Sequence, residues 1–263
     1  QNPITVERRV MRRSILSSMI EILEYNSSLS QRLALFEIGP VFHPVEGQQL
    51  PEEKMMLSIG MTGLREMPSW QGGEPENLDF YDLKGVVEGM MQGLHIADVR
   101  YQASEHPSFH PGKTAKILIA DREIGVMGEV HPLVKANYEM EEAPVFAAEI
   151  ELKPLLEAGS ILFDVEAVPT YPSVLEDLAV VVNENVTASE VEAVMRKGGG
   201  DYLAKVQLFD IYRGKQLGEG KKSLAFSLTY NAPDHTLTDK EVSKRRNKII
   251  HLLDEELGAK LRS

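Results

Sequence analysis

The chain has 263 residues, no cysteine and a formal net charge of −12, which excludes disulfide and thiolate chemistry and, taken globally, opposes a nucleic-acid partner. Its apolar runs are far shorter than a membrane span and no apolar signal core opens it, so a soluble protein without a membrane partner is expected. The acid is unevenly placed, however: residues 1–169 hold 14 Lys+Arg against 26 Asp+Glu, whereas residues 170–263 hold 14 of each. The second part can therefore carry a locally cationic end. An opening Gln1-Asn2-Pro3 with no methionine reads as a fragment of something longer.

In chain order, Val10, Ile15, Met19, Ile22 and Leu23 fit one face of a helix over about 9–25. Strands are expected at 32–39 and 53–63, followed by the polar loop REMPSWQGGEPEN and a helix from 80 to 94. Further strands at 97–101, 114–120, 123–130 and 145–150, with short helices near 133–138 and 153–158, lack regular helical crossovers. That order favours an α+β unit with a largely antiparallel sheet and argues against a parallel Rossmann sheet. The stretch EAVPTYPSV, with two prolines stiffening an extended connection, places the domain boundary close to residue 165, giving domains 1–165 and 166–263.

The second domain reads as strand 178–182, helix 187–197, strand 204–212, strand 221–230, helix 239–256 and a short strand after Gly258. Thr187 with Glu190, and Thr238 with Glu241, have capping-box spacing. The order βαββαβ is the split-βαβ plan of ferredoxin-like domains, in which two helices cover one sheet face and leave the other open.

Enzymatic signals are missing. Glu105, His106 and His110 are close in sequence, but Pro107 and Pro111 preclude a continuous ligand-bearing helix. His43 and His131 also precede prolines, which reads as turn chemistry, and the carboxylate pairs Glu52/Glu53 and Glu141/Glu142 read as solvated charge. There is no GxSxG elbow, Walker A loop or GxGxxG. No catalytic residue, metal ligand or cofactor-binding residue is assigned to this chain.

The informative stretch is LFDIYRGKQLGEGKKSLAFSLTY, residues 208–230. With period 2, Phe209 and Ile211 share one face and Leu208, Asp210 and Tyr212 the other, while Leu224, Phe226, Leu228 and Tyr230 oppose Ser223, Ala225, Ser227 and Thr229. If the first set of each strand faces the helices, the open face shows a carboxylate, an aromatic ring and small side chains. Tyr212 could stack on a base and Asp210 could accept hydrogen bonds from a guanine edge, with nearby lysines gripping phosphates. Periodicity leaves three readings open: single-stranded RNA, a protein contact, or a plain solvated face.

These motifs also carry a resemblance. YPSVLEDLAVVVNENVTASEVEAVMRKGGG, VQLFDIYRGKQLGEGKKSLAFSLTY, TLTDKEV and the terminal GAKLRS resemble the ferredoxin-fold anticodon-binding domain at the C-terminus of the bacterial phenylalanyl-tRNA synthetase beta subunit. NPITVERRVMRRSILSSMIEILEYN, LALFEIGPVFHP, DFYDLKGVVEGMM and HPGKTAKILIADREIGVMGEVHP resemble the class II synthetase-like module upstream of it. The resemblance runs through essentially the whole chain. It implies a cytoplasmic (αβ)2 enzyme that attaches phenylalanine to tRNA(Phe) with ATP and magnesium, the active site lying in the alpha subunit. The first domain would then be a noncatalytic interface module, consistent with the absence of the FRxE pattern and of a glycine-rich arginine motif; ALFEIGP resembles a class II interface motif.

Carried residue by residue, the resemblance places Asp210 and Tyr212 at positions that approach the first anticodon base, a guanine, and Ser223 at another anticodon-contacting position. Arg213, Lys221 and Lys222 are candidates for backbone or loop contacts. Two departures stand out: Glu176 precedes Asp177 where the family commonly has arginine, and His235 stands where a basic residue is frequent. The alternative is a noncatalytic interaction or structural module without specific RNA binding.

Overall fold

A computed structural model describes residues 9–140, 143–160 and 170–262. The chain divides into two compact units, 1–164 and 165–263. The expected boundary near residue 165 lies outside the described residues, as do Glu141 and Glu142.

The first unit is built on a six-stranded antiparallel sheet in the order β1-β2-β6-β5-β4-β3. Its strands are β1 (Arg32–His43), β2 (Glu52–Gly63), β3 (Val99–Ala103), β4 (Phe109–Ile119), β5 (Arg122–Val130) and β6 (Val145–Glu151), and its helices are α1 (Leu16–Ser27), α2 (Phe80–Gly93), α3 (Pro132–Lys135) and α4 (Leu152–Ala158). Both faces are covered over the central strands, while at the β1 edge Phe36 and Ile38 on the α2 side are exposed. On β6, Ala147 packs with Leu16, Met19, Ile20 and Leu23 of α1, while the adjacent Ala148 packs with Leu83, Val87 and Met91 of α2. Successive strand residues point to opposite faces, so the two helices cover opposite sides. Gly60 lets α1 close on its side, since a Cβ there would stand 2.6 Å from Met19.

Helix α1 begins at Leu16 rather than at residue 9, because the residues before it are engaged elsewhere. Phe42 donates its amide to the Arg12 carbonyl (2.9 Å), and the Arg12 guanidinium donates to the Pro40 carbonyl (2.9 Å) and Glu37 (2.7 Å). Glu149 of β6 then accepts from the Ser14 hydroxyl (3.0 Å) and the Ile15 amide (2.6 Å), fixing where the helix starts. At β4 the strand begins at Phe109, earlier than the apolar pattern indicates. Pro111 is accommodated in a register shift between Phe109 and Thr114, where no ladder hydrogen bond is required of it.

The second unit contains β7 (Val174–Asn183), α5 (Ala188–Gly199), β8 (Leu203–Tyr212), β9 (Lys221–Tyr230), α6 (Asp239–Leu257) and β10 (Lys260–Leu261), and its sheet runs β10-β7-β9-β8. This is the expected βαββαβ order. Both helices pack on one face, where Leu178, Val180 and Val182 meet Leu224, Phe226 and Leu228, with Val191 and Met195 of α5 and Val242, Ile249 and Leu253 of α6 above them. Gly198 sets the closeness of the helices, since a Cβ there would stand 2.8 Å from the Ile249 Cα. The expected caps form: Glu190 accepts the Thr187 amide (2.7 Å) and Glu241 the Thr238 amide (2.9 Å). Gly258, at φ +61°, ends α6 in the left-handed region and lets its amide and that of Ala259 reach the Asp254 (2.9 Å) and Leu253 (3.1 Å) carbonyls.

Candidate nucleic-acid interface

The sheet face turned away from α5 and α6 can be read from the register. Residues directly opposite in an antiparallel pair share a face. Asp210 pairs with Ala225 and Tyr212 with Ser223, while Ala225 and Ser223 pair on their other side with Ala179 and Val181. Asp210, Tyr212 and Ser223 thus share the helix-free side. On β9 the period-2 reading is correct: Leu224, Phe226, Leu228 and Tyr230 are buried under the helices.

On β8 it is not. Leu208 pairs with Phe226 and packs against the helix-side core, and a register shift separates it from Asp210. Phe209 is the extra residue of this β-bulge and is 56% exposed rather than buried under the helices. Ile211 pairs with Leu224 on the helix side, yet this end of the edge strand lies beyond the helices' cover, and it too is exposed. The bulge shifts the phase of the strand, so Leu208 serves the core while Asp210 and Tyr212 serve the open face.

Tyr212 has a defined setting that the sequence reading missed. Arg262, which follows β10 on the far edge, holds its guanidinium 4.6 Å from the centre of the Tyr212 ring. Since β7 and β9 separate β10 from β8, these side chains reach toward each other across roughly 14 Å of sheet. The phenol tip lies against Gly214, where an added Cβ would collide with the hydroxyl. Ser223 is on the expected face but only 1% exposed, and its hydroxyl has no hydrogen-bond partner among the described residues. It lies beneath the surface that Asp210 and Tyr212 present.

The three cationic candidates separate. Lys222 pairs with Val182 on the helix side, is 9% exposed, and donates its ammonium to the Glu184 carbonyl (2.8 Å), which turns it away from the open face. Arg213 forks onto the Glu184 carboxylate (2.7 and 3.0 Å), and that hydrogen bond holds the Glu184 pKa below its usual range. Lys221 pairs with Asn183 and is exposed, bordering with Gly214, Lys215, Gly218 and Glu219 a shallow hollow beside the β8–β9 loop. Of the three, Lys221 is exposed and forms no ion pair among the described residues.

Comparison with known proteins is decisive for lineage. Residues 1–152 match the family model described as the phenylalanyl tRNA synthetase beta chain CLM domain, and residues 169–262 match the ferredoxin-fold anticodon binding domain. The chain belongs to the phenylalanyl-tRNA synthetase beta-chain family. It is 43% identical over its whole length to the phenylalanine–tRNA ligase beta subunit of Clostridium acetobutylicum, 40% to that of Symbiobacterium thermophilum and, over 99% of its length, 37% to that of Bacillus subtilis. It spans 29 to 32% of the length of these relatives.

For a member of this family, the two departures noted in the sequence lie away from the open face. Glu176 pairs with Leu228 on the helix side and its carboxylate stands 3.6 Å from Arg246 of α6, so its negative charge is held by the core rather than added to the open face. Burial, together with Glu176, pushes the nearby Tyr230 hydroxyl up to about 12. His235 lies between Asp234 (2.7 Å) and the capping carboxylate Glu241 (3.1 Å), and these hydrogen bonds raise its pKa while Thr238 and His235 lower that of Glu241 to about 2.

Three histidines of the first unit close local turns, whereas His43, expected in a turn, ends β1 and pairs with Glu52. The Nδ1 atoms of His106, His110 and His131 accept backbone amides from Ser108 (3.3 Å), Gly112 (3.1 Å) and Leu133 (3.1 Å), and among the described residues no three His, Asp or Glu side chains converge as metal ligands. No helix of the described residues is long and apolar enough to cross a membrane.

Proposed function

We propose that this chain is the C-terminal portion of a cytoplasmic phenylalanine–tRNA ligase beta subunit, in which residues 1–165 are a noncatalytic assembly module and residues 166–263 read the anticodon of tRNA(Phe). The observation that carries the reading is the bulge at Phe209, which brings Asp210 and Tyr212 together on a sheet face free of helices. Asp210 accepts the imino and amino hydrogens of a guanine, a contact to a charged acceptor worth about 1.5–3 kcal/mol. Tyr212 and the Arg262 plane upon it supply the stacking platform, worth about 1–3 kcal/mol per base. A carboxylate repels phosphate, so Asp210 selects a splayed base while Lys221 meets the backbone.

The partners of this reading are tRNA(Phe) and the alpha subunit in an (αβ)2 assembly. ATP and magnesium would activate phenylalanine in that assembly at the alpha subunit's site, and the part of this chain is to hold the tRNA and the subunits. The test is binding of tRNA(Phe) and of a variant with its first anticodon guanine replaced, to the assembly carrying wild-type, Asp210→Ala or Tyr212→Ala beta chain, at two salt concentrations. A cognate preference that collapses in both variants is expected. Equal binding of both tRNAs to the wild type, vanishing with salt, overturns the base-reading role.

A further inference from the structure

The 64–79 loop of the first unit has a rigid base and an apolar tip. Its base is closed by Leu78 donating to the Gly63 carbonyl (2.9 Å), Arg65 donating its amide to the Glu76 carbonyl (2.8 Å), and a bridge between Leu64 and Asn77. The Arg65 guanidinium then binds three carboxylates at once, Glu76 (2.7 Å), Asp79 (2.9 Å) and Asp82 (3.1 Å), tying both ends of the loop to the first turn of α2. Asp79 and Asp82 also cap that helix reciprocally, the Asp79 carboxylate accepting the Tyr81 and Asp82 amides and Asp82 accepting the Asp79 amide. Above this base, Ser69 and Gly72 close a turn (3.2 Å) that presents Trp70, the only tryptophan of the chain, at 91% exposure, with Met67 exposed beside it.

An indole left in water forgoes the burial of 150–250 Å² that makes tryptophan the strongest of interface anchors. Holding it on a clamped loop lowers the entropy lost when it docks. We propose that the 64–79 loop is a docking finger whose Trp70 inserts into an apolar pocket of the alpha subunit. The partner follows from charge and rests on the assembly proposed above. The loop carries four carboxylates and one arginine, with Glu66 and Glu74 exposed and forming no ion pair among the described residues. Such a tip repels RNA phosphates, and its one cation, Arg65, is tied to the loop base, so of the two partners proposed above the alpha subunit is the one it fits. The pocket it fits is apolar at its floor and lysine- or arginine-bearing at its rim, since Glu66 and Glu74 flank the indole.

The experiment places a benzophenone photocrosslinker at position 70 of the full-length beta subunit, co-expressed with its alpha subunit, and identifies the crosslinked peptide by mass spectrometry. A crosslink to an alpha peptide carrying lysine or arginine near the attachment point is expected. Crosslinking within the same beta chain or to a second beta copy, or no crosslink in an intact complex, overturns the finger while leaving the assembly reading standing. Failure of wild-type alpha and beta subunits to co-purify takes both down. In parallel, Trp70→Ala should weaken subunit association on the order of 30-fold, the change expected of an interface hot spot, with Trp70→Phe recovering part of it and the melting temperature of the separated beta subunit unchanged. Equal association of all three proteins counts against the proposal.

Discussion

The two sheets of this protein meet water differently. The six-stranded sheet of the first unit has α1 on one side and α2 on the other, so its central strands answer to packing on both faces, while edge strand β1 leaves Phe36 and Ile38 exposed. The four-stranded sheet of the second unit has α5 and α6 on one side, and its other side carries residues that no helix of the unit covers. The lesson lies in where the regular alternation breaks. In the first unit the irregularity in β4 accommodates Pro111, whereas in the second the irregularity in β8 sets which side chains face outward.

The largest expected effect comes from the covered side. Phe226 is 1% exposed under the helices, so Phe226→Ala should cost about 3–5 kcal/mol and lower the denaturation midpoint of the second unit steeply. A mild effect there would break the comparison. Across the strand pair, Asp210→Ala should leave thermal stability within about 0.5 kcal/mol while reducing discrimination between guanine and another first anticodon base by roughly 10- to 100-fold, read from paired tRNA titrations.

Gly214→Ala sharpens the contrast without replacing either proposed recognition residue. Its new Cβ collides with the Tyr212 hydroxyl, so the ring is expected to leave the Arg262 guanidinium, weakening tRNA binding several-fold with little change in melting temperature; unchanged binding would show that the ring's position is immaterial. Ser223→Ala removes a buried hydroxyl that has no partner among the described residues, so stability is expected to hold or rise by up to about 1 kcal/mol. A drop in melting temperature would show that the hydroxyl is satisfied within the fold.

The smallest effect is a pH dependence at the α6 cap. Glu241 has its pKa lowered from 4.5 to about 2, so its contribution is present above 4.5 and fades as pH falls toward 2. His235 has its pKa raised from 6.5, so its contribution is full below 6.5 and lost as pH rises through the raised value. His235→Gln should therefore narrow the difference in melting temperature between pH 6 and pH 9, measured by calorimetry. An unaltered difference would place the pH sensitivity elsewhere.

Much of this was legible from residue order alone. The βαββαβ plan followed from alternating apolar residues and from the Thr187 and Thr238 caps, because those signals are local. Asp210, Tyr212 and Ser223 were assigned to one face through motif and periodicity together, and the face assignment survives, although Ser223 is buried. The errors have nonlocal causes. Period counting cannot foresee that Phe209 is an extra residue, because the shift is defined by pairing with β9. Lys222 looks like part of a cationic loop until the register turns it toward Glu184. Arg262 follows a two-residue strand too short to show alternation, and its meeting with Tyr212 depends on strand order. The late start of α1 is set by Glu149 and Glu37, which are distant in sequence.

The bulge at Phe209 also divides responsibility along a single strand. Before it, Val206 and Leu208 face the interior and can vary only as the helices permit; after it, Asp210 and Tyr212 face outward and can change without disturbing the core. A lineage could therefore replace Asp210 and Tyr212 while leaving Val206 and Leu208 untouched. Drawing Phe209 into the ladder without shortening the strand would instead turn Asp210 and Tyr212 inward in a single event. One irregular residue thus works as a clutch, letting Asp210 and Tyr212 change at their own pace while Val206 and Leu208 stay engaged with the core.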